Sequence, residues 1–204
     1  MWVKFMELKT TLKICFIIAI ETIFCFTPLG TIPLGPIAAT LSMVPVIIAA
    51  LTFGKRVGMI VGGIFGLYSF IYWTFIMPAF PTAFLFTPFS EAAMYKGNVG
   101  SLVICFVPRI LAGLTPVLVS DMFSLTSNNE NSIKADVLGS IAGSMTNTVL
   151  VLLLIFIIFG REYTTIVGQN ILAVLGATVL TNGIPEAIIC AIVCPIVVRV
   201  LRNI

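Results

Sequence analysis

The stretch VLGSIAGSMTNTVLVLLLIFIIF, residues 137–159, decides the fold class. It carries no charged side chain and is closed by Gly160-Arg161-Glu162. Crossing the hydrocarbon of a bilayer takes roughly 20 apolar residues in a helix, so this stretch reads as a transmembrane span. Similar runs occur from Thr10 to Phe26, up to Phe53, from Val57 to Phe75, from Val99 to Val119 and from Ile184 to Leu201. The whole 204-residue chain is 59% hydrophobic and 9% charged, against about 25% charged in an ordinary soluble domain. With a mean hydropathy of +1.17, it must be solvated by lipid. The expected fold is an all-α membrane protein, a single integral membrane domain over residues 1–204.

The connections set the span count. Thr27-Pro-Leu-Gly30 and the Pro/Gly-rich link 31–36 separate the first two spans, and Gly54-Lys-Arg56 makes a basic turn. A long aromatic loop covers Met77 to Asn98, and the polar run from Ser120 to Asp136 must lie in water. The segment 164–180 is apolar too. Counting it as a full span would put Arg199 and Arg202 opposite Lys4, Lys9 and Lys13, against the positive-inside rule. Six spans put these residues with Lys55, Arg56 and Lys134 on one face. Segment 164–180 is then expected to be an outer, interfacial or re-entrant helix, with both termini cytoplasmic. The N-terminal lysines before an apolar run resemble a signal peptide, but no small-residue cleavage site follows, so a retained first span is expected.

Several functional classes are disfavoured. A net charge of +3 with scattered basic residues gives no nucleic-acid footprint. There is no histidine, and the five cysteines lie in apolar segments at no metal-like spacing. They read as small buried side chains, with neither disulfides nor a metal site. No phosphate-binding Gly-rich loop, zinc-protease motif or nucleophile elbow appears, so an enzyme is not expected.

Polar groups inside the spans carry the functional information. Each ionisable one costs on the order of 2.5–3.5 kcal/mol at a helix centre on insertion scales, so such groups face a cavity or a partner. Arg109 follows Pro108, which frees a carbonyl one turn earlier. Its guanidinium suits a carboxylate or phosphate, or else a structural ion pair with Glu21 or Glu186. Asn147, between two threonines, adds an amide to span five. Asn182-Gly-Ile-Pro-Glu186 reads as a helix start with Asn182 as cap, and equally as a polar rim to a pocket. Glu21 reads as a supporting residue or a partner for Arg109. Tyr72 and Trp73 belong to an interfacial belt or to a pocket wall, and the 27–36 and 77–98 connections are placed to close over it. Gly58, Gly62 and Gly66, and again Gly139 and Gly143, form small-residue ridges for helix packing. Thr11, Cys15 and Ala19 form a similar stripe on span one, facing either this bundle or a partner helix.

Six segments together resemble a known family. Thr27-Pro-Leu-Gly-Thr-Ile-Pro-Leu-Gly-Pro36 with Ala39-Thr40, Val44-Pro-Val-Ile-Ile48, Gly62-Gly-Ile-Phe-Gly-Leu67, Phe106-Val-Pro-Arg-Ile-Leu111, Ser144-Met-Thr-Asn-Thr148 and Thr181-Asn-Gly-Ile-Pro-Glu-Ala187 resemble the membrane S components of energy-coupling factor (ECF) vitamin importers, and most closely the pantothenate-specific branch. The resemblance covers nearly the whole chain in order. It implies a six-transmembrane-helix bundle of the S-component type in a bacterial plasma membrane, holding a B-vitamin near the outer face. The implied partners are a transmembrane coupling protein (EcfT-like) and two ATPase subunits that hydrolyse ATP. No covalently bound cofactor is implied. The two outer connections would gate the site, which singles out Pro33, Gly35, Pro36, Phe84 and Phe86. Small residues on span one would meet the coupling protein, where only Ala19 keeps the family's alanine and Cys15 and Thr11 replace it. Arg109, Asn147, Asn182 and Glu186, with Thr40, Tyr72 and Trp73, can satisfy the carboxylate, amide and hydroxyls of pantothenate. Folate and biotin bring carboxylates too, so an S component for another vitamin is an alternative. A self-sufficient proton-coupled secondary transporter using Glu21 or Glu186 is another.

Overall fold

The chain forms six helical rods, as a computed structural model describing residues 2–34, 37–90, 95–124, 132–167 and 171–203. They are α1 (Trp2–Phe26), α2 (Met43–Phe53), α3 (Lys55–Ile71, prolonged by a π turn over Tyr72–Ile76), α4 (Val99–Ser124), α5 (Ser132–Val167) and a last rod. That rod joins α6 (Ile171–Thr178), a π turn (Val179–Gly183) and α7 (Ile184–Asn203) without a break. Among the described residues, four helices are long and apolar enough to cross a membrane: Lys55–Ile76, Val99–Ser124, Ile133–Thr165 and Leu172–Asn203. Their outward faces carry exposed apolar residues such as Ile60, Val99, Ile157 and Ile196, as lipid requires.

The short helix α2 is the pillar of the bundle. Every residue from Met43 to Leu51 is buried, the pattern of a helix enclosed on all sides. Eleven residues rise only about 16 Å. Its remaining path is taken by a two-stranded antiparallel ribbon, β1 (Thr31–Leu34) with β2 (Ile37–Thr40), pairing Thr31 with Thr40 and Pro33 with Ala38. The sequence read residues 31–36 as a Pro/Gly-rich link leading straight into the second span. A proline is tolerated because a two-stranded ribbon consists of edges. At the other end of α2 the chain reverses through Gly54, whose φ of +89° favours glycine.

The glycine ridges pack inside the bundle, as expected from their spacing. Gly58, Gly62 and Gly66 of α3 lie against Gly113, Arg109 and Cys105–Phe106 of α4 respectively. A side chain on Gly58 or Gly62 would strike the α4 backbone itself. Gly139 and Gly143 of α5 lie against Pro116 and the Ala112 carbonyl on α4's other side. Helix α4 is therefore clamped between α3 and α5, while α1 packs more lightly against α2 and α3.

The two ends of the bundle differ. At one end the Arg202 guanidinium donates to both carboxylate oxygens of Asp136, at 2.7 and 3.2 Å, and to the Leu51 carbonyl at 2.7 Å. Ser120 donates to the same carboxylate at 3.4 Å, so α2, α4, α5 and α7 are tied together. Lys13 donates to the Leu201 carbonyl there, at 3.1 Å. The Lys55–Arg56 turn falls at this end, so the basic residues gather as the charge argument required.

The last forty residues correct the sequence reading. Among the described residues, 164–180 form no helix of their own: α5 continues through a kink at Phe159 to Val167, and residue 171 already begins the last rod. Asn182 is no helix cap, because it sits inside a π turn of a continuous helix. In lipid an interrupted helix would strand its backbone polar groups, and a π turn absorbs Thr181-Asn182-Gly183 without that cost.

Close contact between α3 and α4 makes a direct expectation. Gly62→Leu overpacks the α3–α4 seam and lowers the detergent-solubilised melting temperature by roughly 4–10 °C. Gly176→Leu, where nothing lies within 4 Å, shifts it by about 1 °C or less in the same unfolding assay.

Candidate functional site

At the end away from the basic cluster, a cavity of about 590 Å³ opens among the end of α1, the start of α2 and the second half of α3. A volume of about 300–1,000 Å³ suits a small-molecule site. Phe24, Cys25 and Phe26 come from α1, Ser42 from the turn before α2, and Phe65, Tyr68, Ser69, Tyr72 and Trp73 from α3. The α1 and α3 walls are tied by Thr22, whose hydroxyl hydrogen-bonds with that of Tyr68 at 2.9 Å, and by edge-on contact of Phe26 with Tyr68. The π turn at 72–76 leaves Tyr72 and Trp73 both on the cavity wall, with ring centroids 5.5 Å apart.

Behind this wall lies Arg109. It is buried, and its guanidinium carbon sits 5.6 Å from the Phe65 ring centre and 5.4 Å from that of Phe86. Phe86 in turn stacks on Trp73 at 5.4 Å. Nη1 of Arg109 donates to the Ile104 carbonyl at 2.7 Å. That carbonyl is the one Pro108 leaves without its helical donor, four residues earlier in α4. One proline thus both frees an acceptor and supplies the anchor that orients its neighbour. Nε of Arg109 has no hydrogen-bond partner, so a buried donor remains unspent. Glu21 does not hydrogen-bond to it. One Glu21 oxygen accepts the Cys25 thiol at 3.3 Å and the other has no partner. Glu186 is buried in the first turn of α7 and lies within electrostatic reach of Arg109.

The remaining expected residues fall into two groups. Asn147 is half-buried on α5 with its Oδ1 unpaired, near Ser144, whose hydroxyl is also unpaired. Asn182 is half-buried in the π turn, beside Gly183, which abuts Thr148 of α5. This contact draws the Asn147 and Asn182 segments together, and β2, which ends in Thr40, packs against the same π turn. Pro33 and Thr40 lie in the paired strands, whereas Gly35 and Pro36 fall outside the described residues. In the 77–98 loop, Phe86 touches the site, but Phe84 is fully buried against Phe159, Ile104 and Ile155 and anchors the loop. The loop is pinned further by hydroxyl bonds from Thr74 to Thr87, from Ser90 to the Pro78 carbonyl and from Ser101 to the Phe84 carbonyl. Thr11, Cys15 and Ala19 all lie on the exposed side of α1.

Sequence reasoning did not find Phe24, Ser42, Phe65, Tyr68 or Ser69. Ser69 falls three residues after Gly66 on the ridge helix, but only the adjacency of α1 and α3 marks its neighbourhood as a cavity wall.

The Pro108–Arg109 arrangement can be isolated. Arg109→Ala strands the Ile104 carbonyl and costs about 1–3 kcal/mol in an unfolding measurement. Adding Pro108→Ala restores the helix's own donor, and the combined variant regains at least half of the loss.

Comparison with known proteins converges on one group. Residues 13–198 match the family described as "ECF transporter, substrate-specific component". The chain is 36% identical over 169 residues to the "Pantothenic acid transporter PanT" of Lactococcus lactis subsp. cremoris, covering 82% of this chain and 80% of that protein. It is 31% identical over 176 residues to the "Pantothenate transporter PanT" of Leuconostoc mesenteroides subsp. mesenteroides, covering 78% and 75%. Its fold is similar to the crystal structure of an S-component for biotin from an ECF-type ABC transporter, with a TM-score of 0.55 and 18% identity over 98% of this chain and 93% of that one.

Proposed function

We propose that this chain, which belongs to the family of ECF transporter substrate-specific components, captures pantothenate at its cavity for uptake into the cell. The observation that carries the reading is Arg109, a buried cation behind the aromatic wall with a donor still unspent. A buried guanidinium with a free donor is costly within a bilayer, and a ligand carboxylate is a natural group to meet it. Pantothenate brings a carboxylate, an amide and two hydroxyls. Arg109 would take the carboxylate, and Asn147, Asn182 and Glu186 the remaining groups. Thr40 would contribute from the ribbon, and Tyr72 and Trp73 would enclose the apolar portion. The two relatives named as pantothenate transporters support this ligand over folate or biotin.

In this reading the ribbon, with Pro33, Gly35 and Pro36, and the Phe86 side of the 77–98 loop close over the occupied cavity. Phe84 fixes the loop's base. The exposed α1 stripe Thr11, Cys15, Ala19 meets a transmembrane coupling protein (EcfT-like), and two ATPase subunits supply the energy. Lys9, Lys13 and Arg202 then mark the cytoplasmic face of a bacterial plasma membrane, with both termini on that side.

Calorimetry on the solubilised protein tests the ligand assignment. Wild type is expected to bind pantothenate at one site without ATP. The Pro108→Ala/Arg109→Ala pair, whose backbone is repaired, is expected to lose about a hundredfold or more in affinity. Equal binding by this pair would refute the carboxylate clamp. Uptake into liposomes by the chain alone, driven by an ion gradient, would overturn the importer-subunit reading.

A further inference from the structure

We propose that an apolar groove on the flank of the bundle, separate from the ligand cavity, holds one anionic phospholipid from the leaflet on the basic side. The groove has a volume of about 460 Å³ and runs where α1 meets α2 and α7. Its walls include Phe16, Ile20 and Phe24 of α1, Ile48 of α2, and Val193 and Val197 of α7. Apart from Lys13, every residue that lines it is apolar.

The dimensions select the occupant. From Lys13 to Phe24 the α1 axis rises about 16 Å, close to half of a hydrocarbon core about 30 Å thick. That is the depth one leaflet's acyl chain fills. Spread over this length, the volume gives a channel roughly 6 Å wide, whereas a helix with its side chains measures about 10–12 Å. The groove admits an extended hydrocarbon chain and is too narrow for a transmembrane helix.

Charge sets the direction in which the lipid lies. Lys13 marks the end of the groove beside Leu201, whose carbonyl accepts from its ammonium at 3.1 Å. An ammonium carries three donors, so this bond leaves it able to hold a phosphate oxygen as well. Lys9 lies one turn nearer the terminus on the same face of α1. Basic residues at a membrane boundary favour anionic headgroups over zwitterionic ones. A phosphate at Lys13 with one chain along Phe16 and Ile20 therefore matches both the charged and the apolar part of the groove. At the far end stands Phe24, which also lines the ligand cavity, so the tip of the chain supports a residue of the cavity wall. Thr11, Cys15 and Ala19 line no part of the groove, and a lipid there leaves that stripe of α1 open to a partner.

Native mass spectrometry of the full chain, released from nanodiscs of equal phosphatidylglycerol and phosphatidylcholine, tests the proposal. Wild type is expected to retain one phospholipid, with phosphatidylglycerol favoured about fivefold. Lys13→Gln should lose that preference, while Lys55→Gln, an exposed basic position at the same end but outside the groove, should keep it. Val193→Trp fills the groove from an exposed position and should retain about tenfold less lipid of either kind. Should the tryptophan variant fail to fold, the lysine pair decides alone. Equal retention of the two lipids by wild type, equal effects of Lys13→Gln and Lys55→Gln, or full retention by a folded Val193→Trp overturns the inference. So does a wild-type chain that keeps no lipid while Val193→Trp weakens its co-purification with a coupling protein, since the groove then belongs to a partner helix. None of these measurements uses pantothenate, so their outcome is independent of the ligand reading.

Discussion

The close approach of α3 to α4 is the contact on which the rest of the molecule depends. Glycines at 58, 62 and 66 place the α4 backbone at Gly113, Arg109 and Cys105 directly against α3. Between helices in lipid no hydrophobic force favours association, so packing and hydrogen bonds must do it. Residues spaced by four on each helix create a seam where backbone meets backbone at Gly58 and Gly62. Cys105 adds a hydrogen bond from its thiol to the Gly66 carbonyl at 3.2 Å. The seam fixes both the height and the rotation of α4. It delivers Arg109 to the back of the Phe65 wall while its own carbonyl touches Gly62.

Much of this was legible in the sequence, and the limits were physical. The number of rods followed from apolar length and from the sorting of lysines and arginines. The glycine ridges followed from their spacing, although their partner positions on α4 did not, because spacing on one helix says nothing of which helix it meets. Thr181-Asn182-Gly183 misled, since in water such a tripeptide ends helices. The surrounding apolar medium makes an open backbone costlier than a π turn. Residues 31–36 were read as a link because Pro33 and the Gly-Pro pair suit a turn as well as an edge strand. Of the cavity wall, the two aromatics at 72 and 73 were visible. The α1 contribution was not, because Phe24 and Cys25 look like any other lipid-facing residues until α3 is placed beside them.

The charged groups differ in how far they are satisfied. At the basic end, Arg202 meets Asp136 through both terminal nitrogens, one of which also donates to a carbonyl, a satisfied pair at a bundle terminus. In the interior, Arg109 and Glu21 each keep one atom unspent.

Trp73 stacks on Phe86 with ring planes 17° apart, edges onto Tyr72 and lines the cavity. The chain's other tryptophan is Trp2, at the far end of α1. The molecule therefore carries a built-in optical gauge of its own interior. Indole emission depends on local polarity and on neighbouring rings, so filling or emptying the cavity alters the light from one known position. With Trp2 replaced by phenylalanine, occupancy becomes readable in unlabelled protein, in detergent or in a bilayer.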